Sequence, residues 1–275
     1  MAAICAPVNG TASNSRQVNV LESGCSRVII TLICVGVSRQ RGHDVRYEDL
    51  VRGRKECRKC RDLVNPADPS YAQNDSDAVG PWSRWLASCP AKLVIVGQDW
   101  STTDYFEKHQ GRDILGNLTN NRLREDFLKR LGYEVGPPNE TDTKSGVFAT
   151  NAILCLKRGA VGEMSAPVKD GWFKNCQPWL RQTIEVVDAP TVIALGRRAY
   201  DAVVGAYGVK ARALPFRKAI ESCSPVQLVT GRLLFATFHP AARPVDRPFA
   251  KMKEDWDCIA AYLSRFDLPA GQDQG

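Results

Sequence analysis

Four short apolar runs, spaced along the chain from residue 93 onward, most constrain its fold. They cover residues 93–96, 147–154, 191–195 and 233–238. Apolar runs of this length are typical of strands that are buried on both faces, as in a parallel sheet with helices on each side. The runs therefore predict a buried parallel sheet and not a half-exposed antiparallel one.

Segments with helical periodicity lie between and after these runs. Residues 118–131 place Leu123, Phe127 and Leu131 on one stripe, and residues 251–266 have a similar apolar face. The alternation of strand and helix predicts an open α/β sheet. Ligands of such sheets bind beyond the carboxyl ends of the strands, so that edge is where we expect the functional residues.

Residues 1–40 lack this organisation, and we expect them to form an N-terminal extension with a composition compatible with disorder. The folded domain is predicted to cover residues 41–275. The apolar run at 28–37 is about half of a membrane span, and the first cation is Arg16, too far along for a secretion signal. These features predict no membrane association and a cytoplasmic location.

Polar residues stand at the carboxyl ends of three apolar runs. Gln98 and Asp99 follow the first run, Asn151 lies in the second, and His239 follows the fourth. Each has a structural explanation when taken singly: Asp99 as a cap, Asn151 as a buried hydrogen-bonding amide, and His239 as a loop residue. Because parallel strands end at one edge of the sheet, the set together predicts a ligand site.

Four of the ten cysteines have an informative arrangement. Cys57 and Cys60 form a C-x-x-C, and Cys155 and Cys176 lie far downstream. Four thiolates suit a tetrahedral zinc ion or the four corners of a 4Fe-4S cluster. Four unrelated buried thiols are the third alternative, and the spacing alone does not separate the three.

Basic residues accompany the candidate segments in a chain whose formal net charge is +7. Arg197 follows Gly196 at the start of a predicted helix, where backbone N–H groups favour an anion, and Arg243 follows His239. The cations around the C-x-x-C are Arg52, Arg54, Lys55, Arg58, Lys59 and Arg61. Such runs are usually solvated faces, but their position beside the candidate sites favours contacts with nucleic-acid phosphates.

Taken together, the motifs resemble the uracil-DNA glycosylase superfamily, especially its iron–sulfur branch, families 4 and 5. They are Cys57-x-x-Cys60, Gly97-Gln98-Asp99, Thr150-Asn151 followed by Cys155, Cys176-x-Pro178-Trp179-Leu180, Ala194-Leu195-Gly196 and His239-Pro240. The resemblance covers about residues 57–266. It implies a three-layer α/β/α sandwich with a central four-stranded parallel sheet. It also implies a 4Fe-4S cluster on Cys57, Cys60, Cys155 and Cys176, with uracil-containing DNA as the partner of a monomer.

The activity implied is that of a DNA repair glycosylase, which flips uracil or a related deaminated base out of DNA and hydrolyses its N-glycosidic bond. Asp99 would stabilise the sugar cation and position water, His239 would donate to uracil O2, and Asn151 would pair with O4 and N3–H. The other candidates are Gln98, Tyr105 and Phe106 for the base, and Arg197 and Arg243 for the DNA.

The sequence also departs from the family pattern. The iron–sulfur branch has Gly-Glu-Ala-Pro-Gly where this chain has Gly97-Gln98-Asp99-Trp100-Ser101, and the Gln-Asp pair looks like the Gly-Gln-Asp-Pro-Tyr of family 1. Ala241 and Arg243 replace the serine and the leucine wedge that follow the family histidine. These departures allow one alternative, a uracil reader or covalent trap without turnover. A more distant alternative is a zinc-stabilised α/β nucleic-acid-binding protein without an enzymatic role.

Overall fold

The computed structural model describes residues 46–79, 84–159 and 168–265. All of them belong to one compact unit, His43–Gly275. The N-terminal extension expected at residues 1–40 lies outside the described residues. No helix in the described ranges is long and apolar enough to cross a membrane.

Seven strands occur in the described part of the chain. They are β1 (Leu63–Val64), β2 (Leu93–Gly97), β3 (Val147–Asn151), β4 (Leu156–Lys157), β5 (Thr191–Leu195), β6 (Val226–Gln227) and β7 (Leu233–Thr237). The central sheet has the order β3-β2-β5-β7-β6, and β1 pairs with β4 in a separate antiparallel ribbon. Strands β3, β2, β5 and β7 are parallel, which confirms the four-stranded parallel arrangement.

A fifth strand extends this sheet beyond the prediction. Strand β6 pairs antiparallel with β7 and closes that edge of the sheet. It has two residues, of which Val226 is buried and Gln227 is exposed. A segment this short carries no periodicity in the sequence, which is why the pattern of apolar runs did not indicate it.

Helices cover both faces of the sheet. They are α1 (Tyr47–Glu56), α2 (Thr103–Lys108), α3 (Leu118–Arg122), a π-helical turn (Leu123–Phe127), α4 (Leu128–Arg130), α5 (Asp170–Val187), α6 (Arg197–Ala206), α7 (Phe216–Glu221) and α8 (Phe249–Ser264). A short 3₁₀ turn covers Ala72–Asn74. The predicted helix at 118–131 is thus three consecutive helical segments.

The alternation of side chains along β2 shows how the layers form. Val94 and Val96 pack in one apolar cluster with residues of α5 and α6 such as Ile184 and Val203. Ile95 faces the opposite side, in a cluster that contains Trp256 of α8. Because successive strand residues point to opposite faces, one apolar strand is buried against two helical layers. The predicted α/β/α sandwich is confirmed.

Candidate active site

A cavity of about 370 Å³ lies at the carboxyl edge of the parallel sheet. Five of the residues singled out in the sequence line it: Gln98, Asp99, Asn151, Arg197 and His239. They come from the ends of β2, β3 and β7 and from the start of α6. The volume is typical of a pocket for a small organic group, and its position is the one expected for ligands of open α/β sheets.

Asp99 has a partner at each carboxylate oxygen. Nζ of Lys157 lies 2.9 Å from Oδ1, and Nε2 of Gln98 donates to Oδ2 at 2.7 Å. The side chains of Asp99 and Lys157 are 7% and 5% exposed, so water screens their attraction little. The carboxylate is therefore held in one orientation in the cavity wall.

Lys157 also lines the cavity and was missed by the sequence analysis. It is the last residue of β4, and its backbone N–H donates to the carbonyl of Ser101 at 3.1 Å. This bond ties β4 to the segment that follows β2 and so brings the ammonium group to Asp99. The sequence signal is a lysine placed directly after the apolar stretch 152–156.

His239 follows β7, and its ring is oriented by the backbone. Nδ1 accepts a hydrogen bond from the N–H of Ala241 at 3.2 Å, which leaves Nε2 to carry the proton of a neutral imidazole. Burial lowers the pKa of His239 below its ordinary value, and the negative charge of Asp99 opposes this. The arrangement favours a neutral ring with an N–H donor.

Close approach of the neighbouring strand end also fixes this histidine. Gly196 has a φ of +87°, and its N–H donates to the carbonyl of Thr237 at 2.7 Å. A Cβ at position 196 would lie 3.6 Å from Cβ of His239, in ordinary contact, but the backbone conformation favours glycine. The turn after β5 therefore packs directly beside the histidine.

Asn151 is the last residue of β3 and is buried. It is paired in register with Gly97, and the next two N–H groups, of Ala152 and Ile153, donate to the carbonyls of Gly97 and Gln98. The backbone of Asn151 is therefore held beside the segment that carries Asp99, and its side-chain amide lines the cavity there. An amide at this position offers one acceptor and two donor hydrogens to a ligand.

Tyr105 and Phe106 are not brought to the cavity. Both are buried in α2, and both rings contact Trp100 edge-on, with centroids 5.2 and 5.5 Å away. Trp100 itself lines the cavity. Thr102 caps α2 by accepting from the N–H of Tyr105, so the chain turns into the core directly after Trp100. The aromatic side chain at the cavity is therefore Trp100, which the sequence analysis did not choose.

The two arginines predicted to contact DNA have different positions. Arg197 lines the cavity, is exposed, and forms an ion pair with Asp201. Arg243 lies in the exposed loop after His239, where its Nε is 2.9 Å from Asp246, and it does not line the cavity. Arg197 is thus exposed in the cavity lining, whereas Arg243 is exposed on a loop outside that lining.

The wall that contains Trp100 carries a second buried carboxyl group, which the sequence analysis missed. Asp113 lines the cavity together with Asn117 and Thr119. Burial raises the pKa of Asp113 to about 6, and the hydrogen bond from Asn120 partly opposes the shift. The bond from Nδ2 of Asn120 to Oδ2 is 2.8 Å long. This group carries no signal in the sequence, because it lies in a loop without periodicity.

The four candidate ligand cysteines surround a second cavity, of about 270 Å³. Cys57, Cys60, Cys155 and Cys176 all line it. Asn65 shapes the turn at its entrance, since its Nδ2 donates to the carbonyl of Cys57 at 3.0 Å. The basic residues Arg58, Lys59, Arg61 and Arg158 line the same cavity.

The raised pKa values of two of these cysteines show that their thiolate forms need a nearby positive charge. Burial, with a smaller contribution from the neighbouring cysteines, raises the pKa of Cys155 to about 12 and that of Cys176 to about 11. Thiolates at such positions need a bound cation. Within the three described ranges, no three His, Cys, Asp or Glu side chains are arranged to hold one metal ion.

The sequence matches those of known proteins. The sequence model of the Uracil DNA glycosylase superfamily matches residues 86–259, more than half of the chain. The chain belongs to the uracil DNA glycosylase superfamily. A curated relative is the Type-5 uracil-DNA glycosylase of Pyrobaculum aerophilum, which is 24% identical over 217 residues, covering 72% of this chain and 91% of that protein.

The superfamily predicted from the motifs is therefore confirmed, and this relative is of a type that the sequence analysis named. The matched region contains the whole cavity lining from Gln98 to His239. Cys57 and Cys60 lie before it, although the alignment to the type-5 relative spans more of the chain than the family match. Membership of this superfamily supports a DNA glycosylase activity directed at uracil.

Proposed function

We propose that the protein flips uracil, or a related deaminated base, out of DNA and hydrolyses its N-glycosidic bond, leaving an abasic site. The observation that carries this proposal is the convergence of Asp99, Asn151 and His239 on one cavity, in a chain of this superfamily. The three side chains reach it from three different strand ends, so structural capping at each position separately does not account for it.

Asp99 acts on the sugar. Cleavage of the bond leaves positive charge on the sugar and negative charge on the base. A buried carboxylate next to C1′ stabilises this cation and orients the attacking water. Its contacts with Lys157 and Gln98 hold it ready before the substrate arrives.

His239 acts on the base. Its neutral ring donates from Nε2 to the O2 of uracil as negative charge develops there. The N–H of Ala241 occupies Nδ1 and so keeps the proton on the nitrogen that faces the substrate. Burial lowers the pKa of His239, and the ring is therefore the neutral donor that this role requires.

Asn151 and its neighbours recognise the base. Its amide pairs with both O4 and N3–H of uracil, whereas cytosine presents an amino donor in place of O4. Trp100 provides the stacking surface for the flipped base, because it lines the cavity where Tyr105 and Phe106 do not. Gln98 lines the same wall and orients Asp99.

The DNA contacts come from the rim. Arg197 stands at the first position of α6, where its charge adds to that of the backbone N–H groups and favours a phosphate. Arg243 lies on the exposed loop after the catalytic histidine, where it can enter the gap left by the flipped nucleotide. One cavity serves one flipped base, so a monomer suffices.

A 4Fe-4S cluster is the group that fits the four cysteines best. A single zinc ion needs four thiolates within about 2.3 Å of one point. The four cysteines here line a cavity of about 270 Å³, which is larger than the space that one ion fills. When bound, the cluster supplies positive charge to buried thiolates and holds the basic loop 57–61. It has no redox part in a hydrolysis.

The test is release of free uracil from a labelled duplex in large excess over the full-length protein, with a matched thymine duplex as the control. We expect several uracils released per protein molecule and none from the thymine duplex. Release that stops at one per molecule would support the uracil reader or covalent trap instead. No release at all would contradict the proposed hydrolysis and leave a uracil reader that only binds the base.

A further inference from the structure

Lys157 places a buried amine in the wall of the candidate active site, and the proposed hydrolysis uses it only to hold Asp99 in place. Its Nζ is 2.9 Å from Oδ1 of Asp99, and its side chain is 5% exposed. A buried ion pair is weak evidence for a stabilising role, because removing two charges from water often costs more than their attraction returns. Stability alone therefore does not explain why the charges of Lys157 and Asp99 are buried together.

The position of this amine supplies one. If Asp99 lies next to C1′ of the bound nucleotide, then Nζ is one hydrogen-bond length from a group that touches this carbon. After hydrolysis, C1′ of the abasic product opens from a hemiacetal to an aldehyde. A primary amine held close to an aldehyde condenses with it to form a Schiff base.

We propose that Lys157 gives the protein a second activity, that of an abasic-site lyase which cuts the DNA strand on the 3′ side of the abasic sugar. The inference rests on the proposed function only for the location of C1′.

The chemistry balances without an oxidant or reductant. Asp99 accepts a proton from the ammonium group of Lys157, and the neutral Nζ adds to the C1′ aldehyde. Return of that proton to the hydroxyl group releases water and leaves a protonated Schiff base. Loss of a C2′ proton to Asp99 then drives cleavage of the C3′–O bond, and the 3′-phosphate leaves as an anion. Water hydrolyses the Schiff base and regenerates the lysine.

The lyase reaction needs only one group besides the amine of Lys157, and that group is the carboxylate of Asp99. It is a base in hydrogen-bond contact with the ammonium group, which is the geometry required for proton transfer. Both groups line the cavity that would receive the sugar, and neither is at its exposed rim.

The experiment uses the full-length protein and a labelled duplex that already contains an abasic site, so that uracil excision is not required. Sodium borohydride reduces a Schiff base to a stable amine and thus links the protein to the DNA. We expect a covalent adduct, which peptide mass spectrometry assigns to Lys157. Without borohydride we expect a nick at the abasic site in the absence of heat or alkali. A duplex with a tetrahydrofuran site, which has no aldehyde, is the negative control.

Two variants complete the test. Lys157→Arg keeps the positive charge but removes the amine, and it should reduce the adduct by about tenfold or more. Lys169→Arg, at an exposed lysine paired with Asp62, should form the adduct like the wild type. Mapping on the wild type also decides the matter if Lys157→Arg does not fold.

The outcomes separate this inference from the proposed function. An adduct on Lys157 together with the nick supports the lyase whether or not uracil is released from the first substrate, and an adduct without a nick overturns the strand-cutting activity. No adduct above the tetrahydrofuran level, or an adduct only on other amines, overturns it even if uracil release is rapid.

Discussion

His239 accepts a hydrogen bond at Nδ1 from the backbone N–H of Ala241, two residues further along the chain. The contact is local, so it forms whenever the loop after β7 adopts its turn. It leaves Nε2–H pointing away from the loop backbone, and the burial that lowers the pKa of His239 keeps the ring neutral. A neutral donor can strengthen its hydrogen bond as the base becomes an anion.

Replacement of this ring is the first prediction. His239→Ala should lower the rate of uracil release about 10²- to 10³-fold, the loss typical of one oxyanion donor. Single-turnover rates with saturating protein measure this directly. His109→Ala is the matched control, because His109 packs on Tyr105 and is outside the cavity lining. An equal loss in both variants would contradict the role of His239.

Removal of the charge at Asp99 is the second prediction. Asp99→Asn keeps the size of the side chain but removes the negative charge that stabilises the sugar cation. The rate of uracil release should therefore fall at least 100-fold, a loss typical of one transition-state contact. Binding of uracil-containing DNA, measured by fluorescence anisotropy, should persist.

The control for this variant is an exposed aspartate with a single ion pair. Asp257 on α8 pairs with Arg130 and lies outside the cavity lining, so Asp257→Asn should release uracil at the wild-type rate. Full activity of Asp99→Asn would remove the carboxylate from the mechanism.

The third prediction concerns the second cavity. Cys57→Ala should lose most of the bound iron and the visible absorbance, and it should be less stable, because three thiolates hold a cluster less firmly than four. Cys258→Ala changes an exposed cysteine outside that cavity and should retain the iron. Iron and sulfide content after anaerobic purification is the measurement. One zinc ion per chain in the wild type would refute the cluster.

The sequence indicated the parts of the fold that are buried on both faces. Strands β2, β3, β5 and β7 are continuous apolar runs because helices cover each side, and this pattern survives in the sequence without any tertiary information. The strands of two residues did not carry enough periodicity to be seen. Residues 152–154, predicted as strand, lie beyond the end of β3, although the N–H groups of Ala152 and Ile153 still donate to the carbonyls of Gly97 and Gln98.

The same distinction applies to the site. Asp99, Asn151 and His239 could be predicted because each follows or ends a visible strand. Lys157, despite its place after an apolar stretch, and Asp113 were missed, since a two-residue strand and an irregular loop bring them to the cavity through tertiary contacts. Trp100 lines the cavity in place of the predicted Tyr105 and Phe106 for a related reason. The N-cap at Thr102 turns the chain into the core directly after Trp100, so the two predicted rings are buried.

The buried carboxyl group of Asp113 gives the fourth prediction, a dependence of stability on pH. Its pKa is raised from 3.8 to about 6, so the folded protein holds the proton more tightly than the unfolded chain. Stability therefore falls as pH rises from about 4 to about 6, and the whole cost remains at higher pH. A shift of about two units corresponds to a cost on the order of 3 kcal/mol.

Asp113→Asn should remove this cost, because a neutral amide does not ionise and its oxygen can still accept from Asn120. We expect a higher Tm than the wild type at pH 7.5 and a much smaller difference at pH 4.5, where the native carboxyl is already protonated in the folded state. Thermal unfolding followed by circular dichroism at the two pH values measures it. Asp257→Asn, at an exposed site, should show no such change with pH. A Tm of Asp113→Asn equal to or below that of the wild type at pH 7.5 would contradict the raised pKa of Asp113.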